Sequence, residues 1–216
     1  GILSADDQLG EDLNKLFNQL SGFAPQYSYN RLLVAPRTIR SGLLEKINRE
    51  IENKKAGKHA FIRLKLNSLL DEEFVEALYR ASIAGVEVDL VIRGICALLP
   101  GIPGVSENIR VRSVLGRFLE HSRIFHFANG GDDEIYIGSA DLMDRNLNRR
   151  VESLVQITRP EHKKDLIKVF DLYVSSSTAG WHLLPTGKWL KVDKAPDGSP
   201  LNDLQAVMID SYRVNS

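Results

Sequence analysis

The sequence predicts an α/β fold in which a mixed sheet is flanked by helices on both faces. Two observations carry that prediction. Strand-like and helix-like periodicities alternate through the first half, and the second half turns to closely spaced strands around a hairpin signal, Asn129-Gly130-Gly131-Asp132. In order, Leu9, Leu13, Leu16, Phe17 and Leu20 recur at helical spacing, and Gly22 and Pro25 close that helix before a connection through Tyr27 and Tyr29. Residues 31–35 (RLLVA) form a strand, and Ile39, Leu43, Leu44, Ile47 and Ile51 mark a helix stopped by Gly57. Ala60, Ile62, Leu64 and Leu66 alternate as in a second strand. Residues 71–84 make a helix with acidic residues in its first turn, which suits the dipole, and Gly85 just past its end. Residues 86–92 (VEVDLVI) are a third strand. Such alternation implies right-handed crossovers and a parallel sheet covered by helices. Further on, 109–115, 122–127, 134–137 and 151–157 are predicted strands and 160–174 a helix that packs through Leu166, Ile167, Val169, Phe170 and Leu172. A short hairpin around Thr186-Gly187 spans 181–192, and 201–212 is a last helix. Residues 1–174 are expected to form one domain, with 175–216, hairpin plus helix, as a tail packed on it, because that segment is too small to fold alone.

At 216 residues and 43% apolar the chain can bury a proper core. Lys+Arg and Asp+Glu both total 28, so no global field draws it to nucleic acid or to an anionic membrane, and any anion site must be local. No apolar run approaches the ~20 residues of a membrane span, and the N-terminus lacks the pattern of a secretory signal. The single cysteine, Cys96, excludes an internal disulfide and fits a reducing compartment, so the protein is expected to be cytoplasmic. The chain enters an amphipathic helix almost at once, as expected of a piece of something longer.

From Val91 to Pro160 there are nine arginines and no lysine. An arginine fork pairs two oxygens of a phosphate at once and keeps its proton, whereas lysine offers a mobile point charge. Eight carboxylates share the window, so a solvated, salt-paired surface is the competing reading. Arg93-Gly94 lies where the third strand should end, the place where open α/β sheets hold ligands, and a glycine there lets backbone approach a phosphate. His121 precedes Arg123 by two residues at the start of a predicted strand, which would put both side chains on one face. An imidazole beside a guanidinium can move a proton or take a phosphoryl group, although a strand-end histidine can equally be structural. Gly138-Ser139-Ala140-Asp141 follows an apolar strand and precedes Arg145, Asn146, Arg149 and Arg150; a hairpin would bring the Ser139 hydroxyl near His121. His59, His126, His162 and His182 have no evident partners, and no cluster has metal-ligand spacing.

His-x-Arg, a hairpin and then Gly-Ser-x-Asp resembles a variant of the phospholipase D signature, His-x-Lys-x4-Asp followed by Gly-Ser-x-Asn. Arg123 stands for the lysine, Asp141 for the asparagine, and the signature's aspartate falls on Ala128. The longer strings LKLNSLLDEEFVEALYRASIAGVEVDLVIRG, GRFLEHSRIFHFANGG and YIGSADLMDRNLNRRVE resemble the final catalytic domain of the polyphosphate kinases, over most of the chain. That resemblance implies a phospholipase D-like fold. It also implies reversible transfer of the ATP γ-phosphate to polyphosphate through a phosphohistidine, with magnesium, across two such domains facing one crevice. It gives His121 the catalytic part of the second histidine, and gives Arg93 and Arg150 phosphate contacts; Arg123 and Ser139 join the phosphate-binding set from the phospholipase D geometry.

The family's phosphate-accepting histidine belongs to a Lys-x-His-x-Lys context that does not occur here, so the acceptor and the magnesium contacts are expected in a preceding domain of the same chain. The fragment is then expected to be inactive alone and the full enzyme to be a homo-oligomer using ATP and polyphosphate, with no nucleic acid partner and no membrane insertion. Two alternatives stand beside this: a phospholipase D-type phosphodiesterase working as a dimer, and a non-catalytic polyanion-binding module.

Overall fold

The computed structural model describes residues 1–22 and 28–213; Pro25 and Tyr27 lie outside them. Helix α1 spans Asp7–Leu20 and is capped by Asp6, whose side chain accepts from the Leu9 amide. Fully buried Asp12 fastens it to the next element. One of its oxygens accepts from the amides of Asn30, Arg31 and Leu32 at 2.8, 2.6 and 3.2 Å. There follow β1 (Leu32–Val34), α2 (Ile39–Lys55), β2 (Phe61–Leu66), α3 (Glu72–Ile83), β3 (Glu87–Ile92) and β4 (Ile109–Ser113). The second half holds β5 (Ile124–Phe127), β6 (Glu134–Gly138), the short α4 (Asp144–Asn148), β7 (Ser153–Ile157) and α5 (Pro160–Val174). The chain then adds β8 (Gly180–Leu183), β9 (Trp189–Val192) and α6 (Leu204–Arg213).

Among the described residues the strands form one sheet in the order β1-β7-β6-β5-β2-β3-β4-β8-β9. It is mixed: β2, β3 and β4 run parallel, and β5 joins β2 antiparallel. The predicted hairpin connects β5 and β6, and Asn129, Gly130 and Gly131 all take positive φ there, so the turn needs the two glycines. Alternate residues of β2 face opposite layers. Ile62, Leu64 and Leu66 join the larger core under α2 and α3 with Phe74, Leu78, Phe125 and Phe127. Opposite them Val91, Ile124, Ile135, Phe170, Tyr173 and Leu204 form a smaller core under α5 and α6. No helix among the described residues is long and apolar enough to cross a membrane.

Register places five chain segments on one rim. Lys65 pairs with Ile124, Ile124 with Ile137, Gly138 with Leu154 and Val91 with Arg112. The exits of β2, β3, β4 and β6 and the entry to β5 therefore lie side by side. Beyond the strands the loops stay joined: Leu69 bridges both Cys96 and Leu142.

One boundary shift bears on the site, and one short helix is new. The strand expected at 122–127 starts at Ile124, so His121 and Arg123 precede it, in a loop. The reason is local competition for backbone. Arg123 Nη1 donates to the His121 carbonyl at 2.6 Å and Lys65 Nζ to the Ser122 carbonyl at 3.3 Å, which removes both from the ladder. The short helix α4, unforeseen in the sequence, forms where Asn146 and Leu147 turn inward.

Candidate functional site

Asp141 organises the rim. Its Oδ1 accepts from the amides of Asn67 at 2.7 Å and Ser68 at 3.3 Å, and its Oδ2 pairs with Arg123 Nη2 at 2.9 Å. Arg123 in turn holds the His121 carbonyl. On the other side Asn67 Oδ1 accepts from Arg93 Nε at 2.8 Å, which fixes the guanidinium and leaves Nη1 and Nη2 without partners among the described residues. One continuous chain of hydrogen bonds thus links Arg93, Asn67, Asp141, Arg123 and the backbone of His121. Charge-assisted bonds of this kind are stronger than neutral ones, and networks of them rigidify.

A second cluster holds the residues flanking His121. Lys65, almost fully buried, donates to the Ser122 hydroxyl at 2.8 Å, lies 3.5 Å from Glu120 and sits 4.7 Å from the centre of the Tyr173 ring. The Tyr173 hydroxyl donates to the same Glu120 oxygen. Burial pushes the Lys65 ammonium pKa down, Glu120 opposes this, and nearby Arg123 and Arg93 add to it, which sets all three cations in one electrostatic neighbourhood. For Glu120 burial pushes upward, but Tyr173, Lys65 and Ser122 outweigh it, and the carboxyl falls below its usual range. His121 itself is exposed, and its ring makes no hydrogen bond or ion pair among the described residues.

The sequence-predicted residues divide accordingly. Arg93, Arg123 and His121 belong to one hydrogen-bonded network. Arg123 does so through Asp141 rather than as an isolated anion ligand. Ser139 is exposed, accepts from the Ser153 amide at 3.3 Å, and lines a cleft of about 920 Å³ together with Glu120, Ser122 and Arg123. Arg150 is exposed in the loop after α4, on the same rim but outside the network. Arg93 also lines a smaller cavity of about 280 Å³ with Arg117, Phe118, Glu120 and Gln205. A larger groove, about 840 Å³, runs between α3 and α4, but its arginines share it with Asp71, Glu72, Glu73 and Glu76, and Arg40 is already paired to Asp71 at 2.6 Å. That field disfavours phosphate.

Gly94 also has a packing reason: a Cβ there would lie 3.0 Å from the Asn67 carbonyl, so the missing side chain makes room for the exit of β2. His126, expected to lack a partner, lies 3.2 Å from Asp133 and edge-on to Phe61, at the opposite end of β5. Nothing in the sequence marks Lys65, Asn67, Tyr173 or Gln205 as part of the site. Lys65 alternates with the apolar residues of its strand and so reads as solvent-facing; only the helix predicted at 160–174 hinted that this face is covered.

Carboxylates near His121 are committed to other partners: Glu120 to Tyr173, Lys65 and Ser122, Asp141 to Arg123 and two amides. Among the described residues no group of three His, Cys, Asp or Glu side chains could hold a metal ion. Among the described residues, Glu120 and Asp141, the carboxylates beside His121, therefore do not fit a magnesium site.

The sequence profile of the family described as polyphosphate kinase C-terminal domain 2 matches residues 32–203. The chain belongs to that family. It is 54% identical over 213 residues to a polyphosphate kinase of Streptomyces coelicolor and 46% identical over 217 residues to one of Mycobacterium tuberculosis. Each match covers 99% of this chain and 29% of the relative, so the chain spans under a third of the length of these proteins. The fold superposes on the polyphosphate kinase of Porphyromonas gingivalis with a TM-score of 0.90 at 35% identity, covering 98% of this chain and 32% of that one. Nuc of Salmonella typhimurium, a phospholipase D family member, matches at a TM-score of 0.52 and 16% identity over 71% of this chain and 97% of its own. That likeness establishes the phospholipase D-like fold of this family member and nothing about its chemistry.

Proposed function

We propose that the chain supplies one wall of a phosphotransfer site, in which the ATP γ-phosphate passes reversibly to inorganic polyphosphate through a phosphohistidine carried by a preceding domain. The observation that carries this reading is the network that fixes Arg93 and the backbone of His121 on one rim while leaving Nη1 and Nη2 of Arg93 and the imidazole without partners among the described residues. In it, Arg93 and Arg150 take phosphate oxygens, and His121 moves a proton or stabilises the phosphoryl group in transit. Arg123 and Ser139 stand on this rim as further phosphate contacts, at the mouth of a cleft lined mostly by apolar side chains, Leu9, Ile124, Val155 and Leu166 among them, so the phosphate chain is taken at the rim rather than through that cleft. Magnesium would arrive with ATP and take its protein ligands from outside this chain, because Glu120 and Asp141 are already spent on hydrogen bonds.

The phosphodiesterase alternative finds little support. Its signature aspartate corresponds to Ala128, which is fully buried and carries no carboxylate. In the longer chain that includes the preceding domain, His121→Ala should lower the turnover of γ-labelled ATP into acid-stable polyphosphate by about 10²- to 10⁴-fold with binding much less affected. Arg93→Lys should weaken both, since it keeps the charge and loses the fork. A folded His121→Ala enzyme with undiminished turnover would refute the reading. The isolated chain should transfer no label; steady incorporation would show that it does not need a second domain.

A further inference from the structure

The loop that carries His121 leaves β4 at Val114 and runs to Arg123 without regular structure. Its apolar side chains Leu115, Phe118 and Leu119 are 60%, 55% and 72% exposed, so packing does not hold it. What holds its outer half comes from 87 residues away. Gln205 Oε1 accepts from the Phe118 amide at 2.8 Å, and Gln205 Nε2 donates to the Phe118 carbonyl at 2.9 Å. The carboxamide thus satisfies both backbone groups of one residue, as a neighbouring strand would.

The arm presenting Gln205 is itself anchored. Asp203 caps α6 by accepting from the Ala206 amide at 3.0 Å, and Leu204 is 2% exposed in the core cluster shared with Val114 and Tyr173. Just before it, the Ala179 amide donates to Asn202 O at 2.9 Å and the Asn202 amide to Ser177 O at 2.8 Å. Gly116 completes the fit: a Cβ there would lie 2.4 Å from the Gln205 carboxamide. Gln205 also lines the cavity that contains Arg93 and Arg117.

We propose that Gln205 of the C-terminal helix is a positioning residue for His121, a clamp that fixes the loop at Phe118 while Lys65 and Arg123 fix it at Ser122 and His121. The inference rests on the proposed role of His121, but its physical half can be judged separately. In this chain, Gln205→Ala should speed exchange of the Phe118 amide about 5-fold, the worth of one net hydrogen bond. The Ala179 and Asn202 amides should keep their protection. Gly116→Ala should give the same loosening by driving the carboxamide out. The double variant should add nothing to Gln205→Ala, because the methyl then has room. In the longer enzyme, Gln205→Ala should lower kcat about 10-fold or more with KM for ATP nearly unchanged, as small misplacements of a reacting group do. Unchanged Phe118 exchange in Gln205→Ala, or additive effects in the double variant, would overturn the clamp. Loosened exchange with an unaltered kcat would overturn its role in positioning His121. A wild-type longer chain without phosphotransfer would instead sink the proposed function, with the exchange result still deciding the clamp.

Discussion

Replacing Asp141 by alanine should be among the most damaging single changes in this chain. Asp141 is 6% exposed, and its carboxylate serves four donor atoms: the Asn67 amide at 2.7 Å, the Ser68 amide at 3.3 Å, and Arg123 through Nη2 at 2.9 Å and Nε at 3.3 Å. Two lost bonds to backbone amides cost about 1 kcal/mol each, and the charge-assisted pair about 1.5–3 more. That sum agrees with the ~3–5 kcal/mol expected when one partner of a buried ion pair is deleted. The Arg123 side chain is only 15% exposed, so water can relieve little of the stranded charge. For a chain of this length the loss translates into a fall in Tm of about 6–20 °C. Thermal unfolding of the isolated chain, followed by circular dichroism near neutral pH, measures it. Asp141→Asn should fall between, because it keeps an oxygen for the Asn67 amide and gives up the charge. A double-mutant cycle with Arg123→Ala should show coupling of at least about 1 kcal/mol. A drop in Tm under about 3 °C for Asp141→Ala, or no coupling, would refute the claim that this network holds the rim.

Three further outcomes follow from other contacts. Gly138→Ala places a Cβ 2.0 Å from the Ser153 carbonyl, backbone that cannot turn aside, so β6 and β7 must separate; denaturant unfolding should show a loss of about 1–3 kcal/mol or more. Glu120→Gln should destabilise the chain at neutral pH. The folded carboxyl lies below its ordinary value of 4.5, so its contribution is complete above that value and is lost as pH falls through the depressed one; urea midpoints of the two proteins should converge on acidification, and a constant gap would argue against the Lys65–Glu120–Tyr173 cluster. Burial pushes the Cys96 thiol from 9.0 up to about 11, so its alkylation near neutral pH should run about 100-fold slower than that of an unperturbed thiol, and rapid labelling would contradict its packing.

The sequence by itself determined the alternation of strands and helices, the hairpin at Asn129–Asp132 and a window of arginines of which Arg93 and Arg123 reach the rim, while Arg110 and Arg112 are tied to Asp89 and to the Ser175 and Thr178 carbonyls. Each of these is written in neighbouring residues: a periodicity of two or 3.6, a glycine turn, a choice of arginine over lysine. It also determined that Arg93, His121 and Arg123 lie near strand ends, from which a shared edge follows once the strands are parallel or hairpin-joined. Only the tertiary structure decided how those residues are employed. Arg123 meets Asp141 because β5 and β6 pair in the register Ile124 with Ile137. Lys65 is buried because α5 closes over the polar face of β2 and brings Tyr173 to Glu120. Gln205 reaches Phe118 because a helix 87 residues further along docks beside the root of the loop. Contacts of this kind depend on register and on which face a distant helix covers, and a shift of one residue would reverse them all.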